Sequence, residues 1–206
     1  MVGGGGIPKP GEITLAHKGV LFLDELPEFS RSSLEVLRQP LESHKICISR
    51  VHGTYEFPAD FLLVAAMNPC PCGFYPDRNR CSCTENEVKK YMGKISGPLL
   101  DRFDLCTEVT DIPKEVLEKK EKGKSSLEIR GQVALAQERQ RKRYEGTHIR
   151  FNSGLGGKDL EQYCQVDKEG QKLLNRAYEK MELSLRAYHK IIKTARTIAD
   201  LEDSET

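Results

Sequence analysis

An α/β half followed by an all-helical half is the architecture this sequence predicts, and three observations predict it. Two short, continuously apolar runs, residues 19–23 (GVLFL) and 61–67 (FLLVAAM), have the length and composition of strands buried on both faces of a parallel sheet. Beyond residue 126 apolar residues recur at helical spacing and strand signals are absent. Between the halves, residues 113–125 form a Lys/Glu-rich stretch with the composition of a linker. The expected organisation is therefore an α/β part over 1–112, a linker over 113–125 and a helical part over 126–206.

Each element has its own local reason. Residues 2–11 hold five glycines and two prolines and read as a loop. The first strand, residues 19–23, closes on Asp24-Glu25. Residues 30–42 read as a helix with Leu34, Leu37 and Leu41 on one face and Ser30 as its cap, although Pro40 sits awkwardly near its end. Residues 45–57 resemble a hairpin, with Ile46, Ile48 and Val51 as β-formers, Gly53 near the turn and Pro58 as the breaker. The second strand, 61–67, ends at Asn68-Pro69, because the residue before proline is pushed out of the helical region. Residues 70–83 are irregular, 85–100 helix or turn, and 103–109 a further strand. Helices are expected over 127–145, 168–181 and 184–201, the last with Leu185, Tyr188, Ile191, Ile192, Ala195 and Ile198 in register.

Composition excludes several classes. Among 206 residues, 32 Lys+Arg against 31 Asp+Glu give a net charge of +1, so the chain is neither a bulk polycation nor an acidic tail. With 38% hydrophobic and 31% charged residues, a core is affordable and the surface is heavily charged. The longest apolar run falls far short of the roughly 20 residues a membrane helix needs. Residues 1–10 lack the apolar segment of a signal peptide. A cytoplasmic protein without a membrane partner is the expectation. Seven cysteines, four of them within residues 70–83, then point to metal ligation or free thiols rather than disulfides.

Three motifs carry chemistry. Val20-Leu21-Phe22-Leu23-Asp24-Glu25 is the Walker B pattern: a hidden strand that presents two carboxylates at its C-terminal end. Asp24 would hold the Mg²⁺ that bridges nucleotide phosphates, and Glu25 would orient or deprotonate the attacking water. The bare hexapeptide fits equally a buried strand that ends in solvated acids. Asn68 ends a second apolar strand and could hydrogen-bond the γ-phosphate or the water; alone, Asn-Pro is a turn. Arg102, in Gly97-Pro98-Leu99-Leu100-Asp101-Arg102-Phe103-Asp104, could reach a neighbouring subunit's nucleotide as an arginine finger. Spacing alone favours pairing with Asp101 or Asp104 instead.

Taken together, GEITLAHKGVLFLDELPEF, RQPLE, FPADFLLVAAMNPCPCG, LLDRFD and LSLRAYHKIIKTARTIADLE resemble the ComM/YifB family of magnesium-chelatase-like AAA+ ATPases over essentially the whole chain. The resemblance implies a partial AAA+ P-loop core with a parallel sheet and flanking helices, followed by an all-helical lid, in a protein that assembles as a homo-hexamer. It implies Walker B at Asp24 and Glu25, sensor 1 at Asn68, an arginine finger at Arg102 and sensor 2 at Arg186, with Arg196 as a weaker candidate for that last role. ATP and Mg²⁺ are the implied cofactors and DNA the implied partner, through branch migration in competence-linked recombination. Two rivals remain: a magnesium-chelatase motor subunit, and a zinc-stabilised nucleic-acid-binding module without ATPase activity. The departure is the Walker A loop. No G-x-x-x-x-G-K-[ST] occurs; Gly123-Lys124-Ser125 has Glu118 five residues before its glycine, and residues 3–6 lack the lysine. The expectation is a C-terminal part that hydrolyses no ATP by itself.

Two further features invite function. Cys70-Pro-Cys72 and Cys81-Ser-Cys83 could give four thiolates to one tetrahedral zinc, with Arg78 and Arg80 offsetting its charge. Four free thiols on a loop are the alternative. The run Arg139–Arg143 (RQRKR) could meet DNA phosphates, or form a solvated helix face paired with Glu138 and Glu145. The hairpin cations Lys45 and Arg50, with His52, gain a pore-facing DNA role from the resemblance.

Overall fold

The computed structural model describes residues 1–5, 8–50, 53–109 and 123–204. Two compact units divide the chain, Met1–Phe103 and Asp104–Thr206. The first opens with β1 (Gly3–Gly4) and β2 (Lys9–Pro10), a short antiparallel ladder inside the stretch expected to be loop. Only glycine fits at position 3: φ is +86° and a Cβ would lie 1.9 Å from the Lys9 carbonyl oxygen. After α1 (Glu12–Leu15), β3 (Val20–Leu23) pairs in parallel with β6 (Leu62–Ala65), in register from Val20↔Leu62 to Leu23↔Ala65.

The crossover between these strands carries two helices and the hairpin. The expected helix over 30–42 forms as α2 (Arg31–Glu35) and α3 (Arg38–Ser43), and Ser30 caps α2 by accepting from Ser33 N at 3.2 Å. The interruption has a physical reason. Starting α3 at Arg38 puts Pro40 in a first turn, where its missing N–H is no loss. The hairpin forms as expected, β4 (Lys45–Arg50) against β5 (Gly53–Pro58), with Ile46 and Ile48 buried on one face. Its expected Val51 and His52 lie outside the described residues. The core gathers Ile13, Leu23, Leu34, Leu37, Ile46 and Leu99, each contributing about 1.5–3 kcal/mol by burial.

Two expectations are corrected here. The strands are covered on one face only. Leu23 is buried and Leu21, Leu63 and Ala65 pack on the core, but Val20 and Phe22 are each 57% exposed and Leu62 61%. Among the described residues of this unit, no element lies over that second face. Residues 103–109 form no strand among the described residues, and Leu105 and Val109 are exposed. The irregular 70–83 stretch is as expected. It is followed by α4 (Glu85–Met92) and α5 (Gly97–Leu100).

Residues 113–122 of the expected linker lie outside the described residues. In the second unit α6 (Ser126–Arg143) starts at a capping box made by Ser125 and Glu128. A 3-10 turn (Asn152–Gly154), α7 (Lys158–Tyr163), α8 (Lys168–Lys180) and α9 (Leu185–Glu202) follow. The small core holds Tyr144, Ile149, Leu155, Leu160 and Cys164. The helix expected over 184–201 forms as α9, and Ile192 packs against the core, but the apolar face is only partly covered. Its buried residues are Arg196 and Asp200, whereas Leu185, Ile191 and Ile198 are exposed. An ionic network, described below, is buried beside Ile192. No helix among the described residues is long and apolar enough to cross a membrane.

Candidate functional site

Asp24 and Glu25 sit between two buried anchors. Leu23, the last residue of β3, is 6% exposed and Leu26 is 3% exposed, so the two acids are pinned on a short exposed bridge. The backbone is fixed further by Ala66 N donating to Leu23 O at 2.9 Å and Leu26 N donating to Ala66 O at 3.0 Å. Glu25 adopts left-handed backbone, φ 49° and ψ 48°, which a non-glycine residue enters at a cost of about 1–2 kcal/mol. Strain of this kind at a tight strand exit persists only where the surroundings enforce it. The Asp24 carboxylate is itself oriented: its Oδ1 accepts from Glu25 N at 2.9 Å.

Asn68 follows Ala65, the last residue of β6 and the register partner of Leu23. Because the strands are parallel, Asp24, Glu25 and Asn68 leave the sheet at the same C-terminal end, and all three are exposed. Tyr91 of α4 is 7% exposed. Burial raises its hydroxyl pKa most. Glu28 acts next, followed by the opposing effect of the Asn68 backbone amide, and Glu25 and Cys70 also act on it. Sequence reading passed over Tyr91; its one signal is the i,i+3 spacing from Val88 on a helix with few other apolar residues.

Arg102 lies elsewhere in the first unit and is engaged. Its guanidinium is 9% exposed and Nη2 meets Glu42 Oε1 at 2.7 Å. Nε donates to Arg38 O at 3.2 Å, and Nη1 donates to Pro98 O. The pairing with Asp101 or Asp104 that spacing suggested is replaced by one with Glu42, from the end of α3. Arg186 stands in the first turn of α9, exposed, just after the Ser184 cap, which accepts from Ala187 N at 3.1 Å. Arg196 is buried against Asp200, 3.0 Å from its Oδ1.

The four cysteines come together. The Sγ atoms of Cys70, Cys72, Cys81 and Cys83 all lie within 4.8 Å of one another. Cys70 to Cys72 is 3.3 Å, Cys72 to Cys81 3.5 Å and Cys70 to Cys81 3.8 Å. Four sulfurs at the zinc–thiolate distance of about 2.3 Å stand about 3.8 Å apart at the corners of a tetrahedron. The donor set therefore fits a soft divalent cation. Backbone hydrogen bonding from Phe74 is the largest effect in lowering Cys72 to about 6, so one sulfur already favours the thiolate that a metal requires. Arg78 donates to Cys83 O at 3.1 Å, and Arg80 lies 4.2 Å from the Phe74 ring centroid, so both expected cations stand beside the cluster.

The basic run divides in two. Arg141 pairs with Glu138 at 2.7 Å and Lys142 reaches the same carboxylate at 4.0 Å, an exposed helix face. Arg139 and Arg143 instead turn towards α9. Arg143 Nη1 donates to Asp200 Oδ2 at 3.0 Å, and Arg139 Nη2 meets Asp203 at 2.6 Å. Asp200 also accepts from Asn152 Nδ2 at 2.9 Å and is fully buried. In the hairpin, Lys45 pairs across the strands with Glu56 at 2.9 Å, which raises the lysine pKa and lowers that of the acid. Arg50 donates to Ser49 O at 3.1 Å.

Comparison with known proteins adds the family. The profile described as "Magnesium chelatase, subunit ChlI" matches residues 1–117, and "Magnesium chelatase, subunit ChlI C-terminal" matches 123–206. "Competence protein ComM" of Haemophilus influenzae is 47% identical over 207 residues, covering 100% of this chain and 40% of that relative. "Uncharacterized protein YifB" of Escherichia coli is 45% identical over 206 residues, again 100% of this chain and 40% of the relative. The chain thus spans about two fifths of the length of the curated relatives it matches.

Proposed function

The chain belongs to the magnesium chelatase ChlI family, of the AAA+ kind, and from that premise we propose that it carries the hydrolysis trigger and lid of an ATPase motor that remodels DNA. The observation that carries this reading is the shared exit of Asp24, Glu25 and Asn68 from one end of the parallel pair β3–β6. Ligands bind at that end of α/β sheets, because the strand termini leave a crevice into which side chains project.

In this reading each residue has a role. The exposed, oriented carboxylate of Asp24 suits magnesium, which when bound supplies positive charge against the nucleotide phosphates. Glu25 accepts the proton of, or orients, the attacking water. Asn68 donates its amide to the same water or the γ-phosphate. Arg102 is offered across a subunit boundary to charge developing on the γ-phosphate; to do so it exchanges Glu42 for the neighbour's nucleotide. Arg186 reports nucleotide from the lid, residues 126–206. The Lys45 and Arg50 hairpin contacts DNA phosphates inside a homo-hexamer, in the cytoplasm. Zinc on Cys70, Cys72, Cys81 and Cys83 is the further metal this reading includes. The name of the relative "Competence protein ComM" supports a link to competence, and branch migration in recombination is the task included in this reading.

The test is ATP turnover by the full-length protein. Removing a general base costs roughly 10²–10⁴-fold. Glu25→Gln is expected to retain ATP binding and to lose turnover by at least about 100-fold, with DNA strand exchange lost in parallel. A Glu25→Gln protein that hydrolyses ATP at the parental rate overturns the reading.

A further inference from the structure

Two segments flank Asn68, and both are fastened to the cysteine cluster. On one side the chain runs Asn68-Pro69-Cys70, and Cys70 is fully buried, its sulfur accepting from Tyr75 N at 3.4 Å. On the other, Cys83 immediately precedes Thr84, the N-cap of α4. There Thr84 N donates to Glu87 Oε2 at 2.8 Å and Glu87 N donates to Thr84 Oγ1 at 3.3 Å, which fixes where the helix begins. Val88 is buried in one cluster with Cys70 and Cys81. Tyr91, on the same helix face, then reaches the Asn68 backbone and the neighbourhood of Glu25.

The cluster therefore holds both walls around Asn68: the loop that leaves it and the helix that packs on it. Without a cation these walls are held by packing of Val88 in the sulfur cluster and by contacts among the sulfurs themselves. With one, residues 70–83 become a closed metal loop. Binding forms four metal–sulfur bonds to thiolates and releases to solvent one proton for each sulfur that still carries one. The resulting site bears two negative charges, beside Arg78 and Arg80.

We infer that a zinc-class cation on Cys70, Cys72, Cys81 and Cys83 sets the position of Asn68 through Val88 and Tyr91, which makes Tyr91 a positioning residue for the polar group beside Asp24 and Glu25. This rests on the reading of Asn68 as the residue that aligns water. It goes beyond a structural zinc, because it ties metal occupancy to the geometry of hydrolysis.

The experiment measures zinc content and backbone amide exchange on the full chain, loaded with zinc and after chelation. One equivalent of zinc is expected. Loading is expected to slow exchange at Met67 and Asn68 and across residues 88–92, as well as within 70–83. Protection confined to 70–83 overturns the coupling, and absence of bound zinc overturns the site. Tyr91→Phe leaves the sulfurs and the ring in place. It is expected to keep one equivalent of zinc and to lose the zinc-dependent protection at Met67 and Asn68; retained protection counts against the proposal. Cys72→Ser is expected to lower zinc content at least about tenfold, and the Tyr91→Phe arm stands if that variant fails to fold. In the full-length ATPase, Tyr91→Phe is expected to lower kcat roughly fivefold with KM for ATP unchanged, the size of one hydrogen bond. The exchange arms do not depend on turnover, so loss of the hydrolysis reading and loss of this coupling give different results.

Discussion

Glu25 combines a left-handed backbone with an exposed carboxylate, and the two have opposite consequences for stability and activity. The backbone costs about 1–2 kcal/mol for a residue with a Cβ, and asparagine enters that region more easily than glutamate. Glu25→Asn is therefore expected to raise the urea midpoint by an amount worth roughly 0.5–1 kcal/mol while turnover in the full-length protein collapses. A variant less stable than the parent would show that the conformation is not strained. The strand end at Asp24-Glu25 was legible in the sequence, because a continuous apolar run that stops at two acids marks where a strand leaves the core. Arg102 was less legible. Its partner Glu42 lies 60 positions away, on a helix whose end could not be placed from periodicity, so local spacing pointed to Asp101 and Asp104.

At the scale of elements, the helical unit shows where pattern reading fails. Periodicity assumes that the apolar face of a helix is the buried one. In α9 the fully buried residue is Asp200, held by Arg143, Arg196 and Asn152, while Ile191 and Ile198 face outward. A buried ionic network leaves no signal except an i,i+4 Arg–Asp pair, one of many in a chain so rich in charge. The helices α6, α8 and α9 were nevertheless legible, because caps and spacing act locally. The strand over 103–109 was not, because a strand exists only with a partner. Burial opposes ionisation of Asp200, but hydrogen bonds from Arg143 and Asn152 outweigh it, so its carboxyl is held below the usual range. A carboxyl depressed in the folded state stabilises fully above the unfolded-chain value of about 4 and loses that contribution as pH falls through the lower folded value. The helical signal at 222 nm is expected to keep a constant melting temperature from pH 7 to about 5 and to fall below about pH 4. Asp200→Asn leaves two guanidinium groups facing a neutral amide and is expected to cost about 3–5 kcal/mol at neutral pH and to flatten that acid transition. An unchanged melting temperature in Asp200→Asn would remove the network from the stability of the unit.

At the scale of the whole molecule, the parts that sequence could not place are those that need another surface. The uncovered face of β3 and β6 presents Val20, Phe22, Leu62 and Val64. Exposed apolar sheet of this kind drives association. The 206-residue chain is expected to self-associate at micromolar concentration, and Phe22→Ser to reduce light scattering; a strictly monomeric parent chain would contradict this. The hydrolytic site raises the same issue between subunits. Arg102 is bound within its own chain by Glu42, so a role at a neighbour's nucleotide requires the assembly to compete for it. If Glu25 and Arg102 serve one site from two subunits, full-length Glu25→Gln and Arg102→Lys proteins are each inactive. In an equal mixture a random interface then receives an intact Glu25 from one side and an intact Arg102 from the other in about a quarter of cases. Turnover near a quarter of the parental rate is expected. If Arg102 serves only to tie its loop to Glu42 and the Arg38 carbonyl, every Arg102→Lys subunit carries the defect internally and mixing restores nothing.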